Sequence, residues 1–216
     1  MALTKKAIRT KATLLESARK LITERGFDRV SVEDITSGAG VAKGTFYHYF
    51  KSKEDLIRDL AFSQIQDLFA ETIKMDGSPE KKLAFYFGSL IKDAQITGVN
   101  LVRQWLRSIC DPKRVSDSTA HFHDSYKRLS SLLIQGVEEG YLTEDTPVSL
   151  LTRLFMSHFN GALTTWCILG GNFDLGGEAK TYIPLDIMNA LGKYRTEKNK
   201  NGTVKTVPVQ KPPSHT

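Results

Sequence analysis

An all-α fold is what this 216-residue sequence predicts, on three observations. Apolar residues recur at spacings of three and four along almost every segment, the period of a helix with one buried side. No Asn-Gly hairpin signal falls between alternating apolar and polar runs. Capping residues punctuate the chain at helix-length intervals, with serines and threonines at starts and glycines at ends. At 40% hydrophobic residues the chain can bury a core without disulfide or metal staples.

Taken in order, the first helix is predicted from about Lys5 to Arg25. Ile8, Ala12, Leu15, Ala18 and Ile22 build its apolar stripe, and Gly26 supplies a left-handed residue to end it. Ser31-Val32-Glu33-Asp34 reads as an N-cap with an acidic residue three positions on. It opens a short second helix that stops near Ser37-Gly38-Ala39-Gly40. A third short helix covers about residues 42–49. Ser52 with Asp55 repeats the capping pattern and starts a long helix whose buried side is Leu56, Leu60, Ile65, Leu68 and Phe69. Further helices are expected near 79–96, 99–110, 117–139, 147–169 and 179–195. Gly140 closes one of them, and Thr146-Pro147 opens the next with proline at the first helical position. From Thr196 onward large apolar residues are few and Lys, Pro and Ser abundant, the composition of a disordered tail.

The charge is unevenly placed. Residues 1–53 hold 11 Lys/Arg against 5 Asp/Glu, while residues 54–195 hold 15 against 18. A small basic head on a mildly acidic body points to a polyanion reached by the head alone. Cys110 and Cys167 are far apart and suggest no disulfide framework. The N-terminus shows no secretory leader, and the most apolar segment, residues 148–169, is interrupted by Arg153, His158 and Asn160. A cytoplasmic protein with no membrane span is therefore expected.

The stretch "GVAKGTFYHYFKSKEDL", residues 40–56, mixes rings, lysines and small residues in a way that suits neither pure core nor pure surface. Two short helices joined by a glycine-bearing turn, after a longer supporting helix, form a helix-turn-helix unit, whose second helix lies in the DNA major groove. A helix this short needs tertiary anchors. Phe46 and Phe50, four apart, are placed to pack on Ile35, Val41 and the first helix. Lys43, Thr45, Tyr47, His48 and Tyr49 are left for a partner, and Gly44 lets a backbone approach closely. Lys53, in the first turn of its helix, opposes the helix dipole, a cost that a bound phosphate would offset.

"SVEDITSGAGVAKGTFYHYFKSKEDL" resembles the DNA-binding motif of the TetR family of bacterial transcriptional repressors, a likeness covering roughly residues 8–68 with the helix-turn-helix at about 31–50. The resemblance implies phosphate contacts from Thr45, Tyr49 and Lys53, helped by Ser31, and base or mixed contacts from Lys43, Gly44, Tyr47 and His48. Thr36 stands where the family usually has alanine, and Glu33 where some relatives carry a base-reading side chain. The resemblance further implies three parts. Residues 1–52 would be a helix-turn-helix DNA-binding domain, joined by the long helix to a helical effector-binding and dimerisation domain at 53–195, with a tail at 196–216. It also implies a homodimer on a palindromic operator in double-stranded DNA, pairing through the last two long helices.

For the body, Tyr86, Trp105, Phe122, Tyr126, His158, Phe159 and Trp166 are candidates to line an apolar cavity, with Phe62, Gln104, His121 and Asn160 nearby in type. A small apolar or aromatic effector bound there, as the resemblance implies, releases the operator. A DNA-binding regulator controlled by a protein partner is the alternative. No Gly-rich phosphate loop, nucleophile elbow or His-Glu-x-x-His motif is present, so no enzyme and no cofactor are expected. No metal site is expected either, because His121 and His123, two apart, point to different faces of a helix.

Overall fold

The computed structural model describes residues 4–198 and 204–206. Among them run nine α-helices: α1 (Lys5–Arg25), α2 (Val32–Gly38), α3 (Lys43–Tyr49), α4 (Lys53–Thr72), α5 (Pro79–Thr97), α6 (Val99–Ile109), α7 (Val115–Glu138), α8 (Val148–Ile168) and α9 (Leu175–Leu191).

The local signals act as the sequence suggests, with instructive offsets. Gly26 ends α1, but with φ 83° and ψ 154°, a region outside the left-handed helical well and open essentially to glycine alone. The buried stripe of α1 is Leu14, Ala18 and Ile22, whereas Ile8 is 56% exposed. The 21-residue α1 is three times as long as α2 or α3, so its first turns run past the helices it supports. At Ser31 a complete capping box forms: the hydroxyl accepts from the Asp34 N–H, and the Asp34 carboxylate accepts from the Ser31 N–H at 2.8 Å. Gly38 leaves room for Ser17, whose Oγ would lie 2.5 Å from a Cβ there and would have to shift. Ser17 in turn donates to the Ile35 carbonyl at 2.9 Å and ties α1 to α2.

Two cores result. The head core gathers Leu14, Ala18, Ile22, Phe27, Val30, Ile35, Phe46 and Phe50 with Leu56 and Ile57 of α4, and it is joined by Leu101 of α6. The body core is built from α5, α7, α8 and α9 with Phe69 at the far end of α4. Helix α4 thus begins in one core and ends in the other, and α6 touches both through Leu101 and Val102. Arg103 of α6 donates to the Cys167 carbonyl at the end of α8, at 3.2 Å through Nε, where the last carbonyls of a helix lack intrahelical partners.

Pro147 sits one position earlier than expected, as the N-cap of α8. Helix α9 spans 175–191 against an expected 179–195. Asp174 caps it by accepting from the Gly177 N–H at 3.0 Å, and Gln95 of α5 holds Asp174 at 2.9 Å, so the glycines after Leu175 are helical. Within the segment expected to be disordered, Thr196–Lys198 (β1) pairs antiparallel with Val204–Thr206 (β2). The pair Asn201-Gly202 lies between them in sequence, an Asn-Gly signal that the reading of alternating runs passed over. The rest of the expected tail lies outside the described residues. No helix among the described residues is long and apolar enough to cross a membrane.

Candidate nucleic-acid interface and ligand cavity

Helix α3 has only seven residues, and what fixes it is the side it buries. Phe46 is fully buried and Phe50 2% exposed, their ring centroids 5.4 Å apart over Ile35 and α1. With that side anchored, Lys43, Gly44, Tyr47 and His48 are exposed, Tyr47 by 53%. Thr45 and Tyr49 sit half-buried at the margin between the two sides. A Cβ added at Gly44 would meet nothing within 4 Å, so the surface there is flat and open. The burial of Phe46 and Phe50 is what their spacing implied, while the half-burial of Thr45 and Tyr49 separates them from the displayed residues they were grouped with.

Three residues carry internal commitments, of which the sequence revealed only the Ser31 cap. The Ser31 hydroxyl is held in the capping box, donating to Asp34 at 2.6 Å while accepting from its N–H at 3.1 Å. Lys43 forms an ion pair with Glu33 across the α2–α3 turn. That contact raises the lysine's pKa and lowers the glutamate's, in both cases chiefly through the hydrogen bond between them. Lys53 departs furthest from expectation. Its ammonium donates to the carbonyls of Phe27 at 2.8 Å and Val30 at 2.9 Å, and lies 3.9 Å from the Phe27 ring centroid. The dipole cost of a cation in the first turn of α4 is therefore offset inside the protein. Of three ammonium donors, one remains for an outside partner.

In the body, a cavity of about 170 Å³ opens between α4, α5, α6, α7 and α8. Four of the sequence candidates line it: Tyr86, Trp105, Phe122 and Phe159. Phe62, His121 and Asn160 do so too. The other three lie elsewhere. Trp166 is buried at the end of α8, its indole donating to the Phe173 carbonyl at 3.2 Å, and serves the core. His158 faces outward and meets Asp186 of α9 at 2.9 Å. Tyr126 stacks on Phe122 outside the lining, centroids 6.3 Å apart. Helical spacing could not separate these cases, because α8 has apolar residues on more than one side.

Within the cavity wall His121 stacks on Phe62 at 3.6 Å, and burial together with the nearby Arg58 charge holds its pKa below the ordinary value. Burial pushes the Tyr86 phenol up to about 12, which keeps it protonated. Sequence reasoning missed Ser118, a half-buried wall residue with a buried hydroxyl, and Arg58, a buried residue one turn before the wall residue Phe62. The available signal was an arginine one turn before Phe62 on the inward side of α4. A second cavity of about 280 Å³ lies between head and body, and the two share Ile65, Leu90, Trp105 and Phe159 as walls. Cys110 is exposed and Cys167 buried, and no metal-holding group of His, Cys, Asp or Glu occurs among the described residues.

Comparison with known proteins finds a family match in the head. The family profile described as bacterial regulatory proteins, tetR family, matches residues 14–60, which span the head core and the start of α4. The HTH-type transcriptional repressor KstR2 of Mycobacterium tuberculosis is 28% identical over 158 residues, covering 71% of this chain and 76% of its own. The fatty acid metabolism regulator protein of Bacillus subtilis is 25% identical over 169 residues, covering 75% and 86%. Among solved structures, the transcriptional regulator FadR from Bacillus subtilis, in complex with stearoyl-CoA, superposes with a TM-score of 0.59 at 21% identity. That match covers 83% of this chain and 98% of the other. The head of this chain, residues 14–60, is thus a helix-turn-helix domain of the TetR family of bacterial transcriptional regulators.

Proposed function

We propose that this protein is a homodimeric repressor that reads a palindromic operator with α3 and is released by a small apolar or aromatic ligand in the body cavity. The observation that carries the reading is the sorting of α3: rings that anchor are buried, and polar or cationic groups that can reach bases are displayed. In this reading Lys43, Gly44, Tyr47 and His48 face the groove. Thr45 and Tyr49 meet the sugar-phosphate edge, with Lys53 adding its remaining donor and Ser31 its helix N-terminus.

Dimerisation is supported by the outer side of α8 and α9. There Leu150, Ile168, Leu185 and Met188 are each more than half exposed, and Gly161 leaves room for a close approach. A single helix-turn-helix reads too few base pairs to define a site, and a two-fold pair doubles them. Small-molecule control, rather than a protein partner, is favoured by the aromatic-lined cavity. The stearoyl-CoA complex of the FadR structure from Bacillus subtilis is a precedent for a bound small molecule on this fold. Helix α6 supplies the link, with Leu101 in the head core and Trp105 in the cavity wall one turn later. An effector must bind the released state about 1–3 kcal/mol more tightly than the DNA-bound one to act in this way.

The test uses DNA selected from a random-sequence pool by the wild-type protein. Tyr47→Ala is expected to weaken binding by about 10- to 100-fold, the range of a lost base-edge contact, while the variant stays folded. Light scattering should give about twice the 24.2 kDa chain mass for both proteins. Unchanged affinity in Tyr47→Ala would remove α3 from the groove, and a monomeric mass would remove the operator symmetry.

A further inference from the structure

The polar atoms around the body cavity are unusual in their sign. Arg58 is 8% exposed, yet its Nε and Nη1 have no hydrogen-bond partner among the described residues. Its one ion pair among the described residues is a loose one to Asp55 at 3.7 Å. Arg58 lies one turn before Phe62 on α4, and its charge is felt by His121, which stacks on Phe62 at the cavity wall. Two residues that line the cavity carry the same defect: Trp105 Nε1 and Ser118 Oγ are buried without a partner among the described residues. Guanidinium and indole nitrogens are donors only, and a serine hydroxyl can donate. Leaving such groups unpaired in an apolar interior is costly, most of all for a charged one. Buried polar atoms left unpaired call for a specific explanation.

Resting on the effector-site reading above, we infer that the ligand is a small aromatic carboxylate. Its ring lies among Phe62, Trp105, Phe122 and Phe159, and its anionic end is directed to Arg58, Trp105 Nε1 and Ser118. A carboxylate is acceptor-only, presents two oxygens and matches the planar fork of an arginine, so it answers donors without adding an unmatched one. The size agrees. An apolar cavity of about 150 Å³ admits one benzene ring, and this one holds about 170 Å³. The shared wall with the larger cavity gives a short linker or substituent somewhere to continue.

The experiment measures calorimetric binding of benzoate, phenylacetate and 3-phenylpropanoate to the full chain, each against its neutral amide. At least one acid is expected to bind about tenfold or more tightly than its amide. Arg58→Met should abolish that preference, and Trp105→Phe, which keeps the ring and removes the donor, should reduce it. If Arg58→Met does not fold, the acid-to-amide ratio of the wild type and of Trp105→Phe decides. Equal binding of acid and amide overturns the inference but leaves the effector site standing. Binding of none of the six overturns it as well. Selective acid binding without release of DNA supports the inference and sinks the effector mechanism instead.

Discussion

The head and the body are both helical cores, but they treat their polar atoms in opposite ways. In the head, Ser17 and Lys53 close contacts between elements while Ser31 and Thr36 hold α2 internally, and up to Ile57 no buried side-chain polar atom lacks a partner among the described residues. From the border between head and body onward, Arg58, Trp105, Ser118 and Tyr182 keep buried polar atoms without one. A domain that reads an outside surface works best internally satisfied and rigid, with its functional groups on display. A domain that answers a small ligand has reason to hold donors in reserve inside. Under the proposed ligand control, the contrast teaches that the two halves of one regulator store their specificity in different places.

The largest expected effect strikes the head's anchor. Phe46→Ala removes a fully buried ring from beneath a seven-residue helix, so it should cost about 3–5 kcal/mol of head stability. DNA binding should vanish with the fold of α3, while the body keeps its helical signal. Loss of the body's cooperative unfolding as well, by circular dichroism and calorimetry, would mean that the two cores are one.

Lys53 sharpens the same contrast, because it has two candidate employments. As an internal clip, Lys53→Met gives up charge-assisted hydrogen bonds to Phe27 and Val30, and should lower head stability by about 1.5–3 kcal/mol. As a phosphate contact, it should also lower the salt slope of DNA binding by about one unit. A stability loss with an unchanged slope assigns the residue to the clip alone. The reverse pattern returns it to the phosphate edge.

How much was legible follows from the same division. The face-sorting of α3 could be read because Phe46 and Phe50 fall four apart and their neighbours are polar, a one-dimensional pattern that helical geometry makes decisive. Lys53 shows the limit. Its carbonyl partners lie 26 and 23 residues earlier, on a loop whose path no local pattern reports. In the body, Trp105 and Phe159 fell in the cavity while Trp166 and His158 did not, although all four share helical spacing with core positions. Cavity membership depends on how five helices meet, and Arg58 escaped notice because an arginine in an amphipathic helix ordinarily reads as solvated.

A smaller effect is expected at Glu33. Its carboxylate occupies Lys43 in the free protein and adds a negative charge beside the displayed side of α3. Glu33→Gln should therefore tighten DNA binding a few-fold at low salt, and the gain should fade as salt rises, as exposed pairs do. Weaker binding by the variant would show instead that Glu33 accepts a hydrogen bond from a base, cytosine being the one with a suitable donor.

The smallest effect belongs to the body and tests its low-dielectric wall. His121 has a folded-state pKa below its ordinary 6.5, first through burial and then through the Arg58 charge, with Asp59, Asp117 and Asp124 opposing. The unfolded chain therefore takes up this proton at higher pH than the folded one. The stability it leaves is complete above about pH 6.5 and is lost as pH falls toward the depressed value. Because the ring is only partly buried, the loss should be small. His121→Phe keeps the stack on Phe62 and removes the titration, so its melting temperature should fall less than the wild type's between pH 7.5 and 5.5. Parallel curves for the two proteins would mean that the cavity wall is wetter than its rings suggest. That outcome would also weaken the case that Arg58 acts across a dry space.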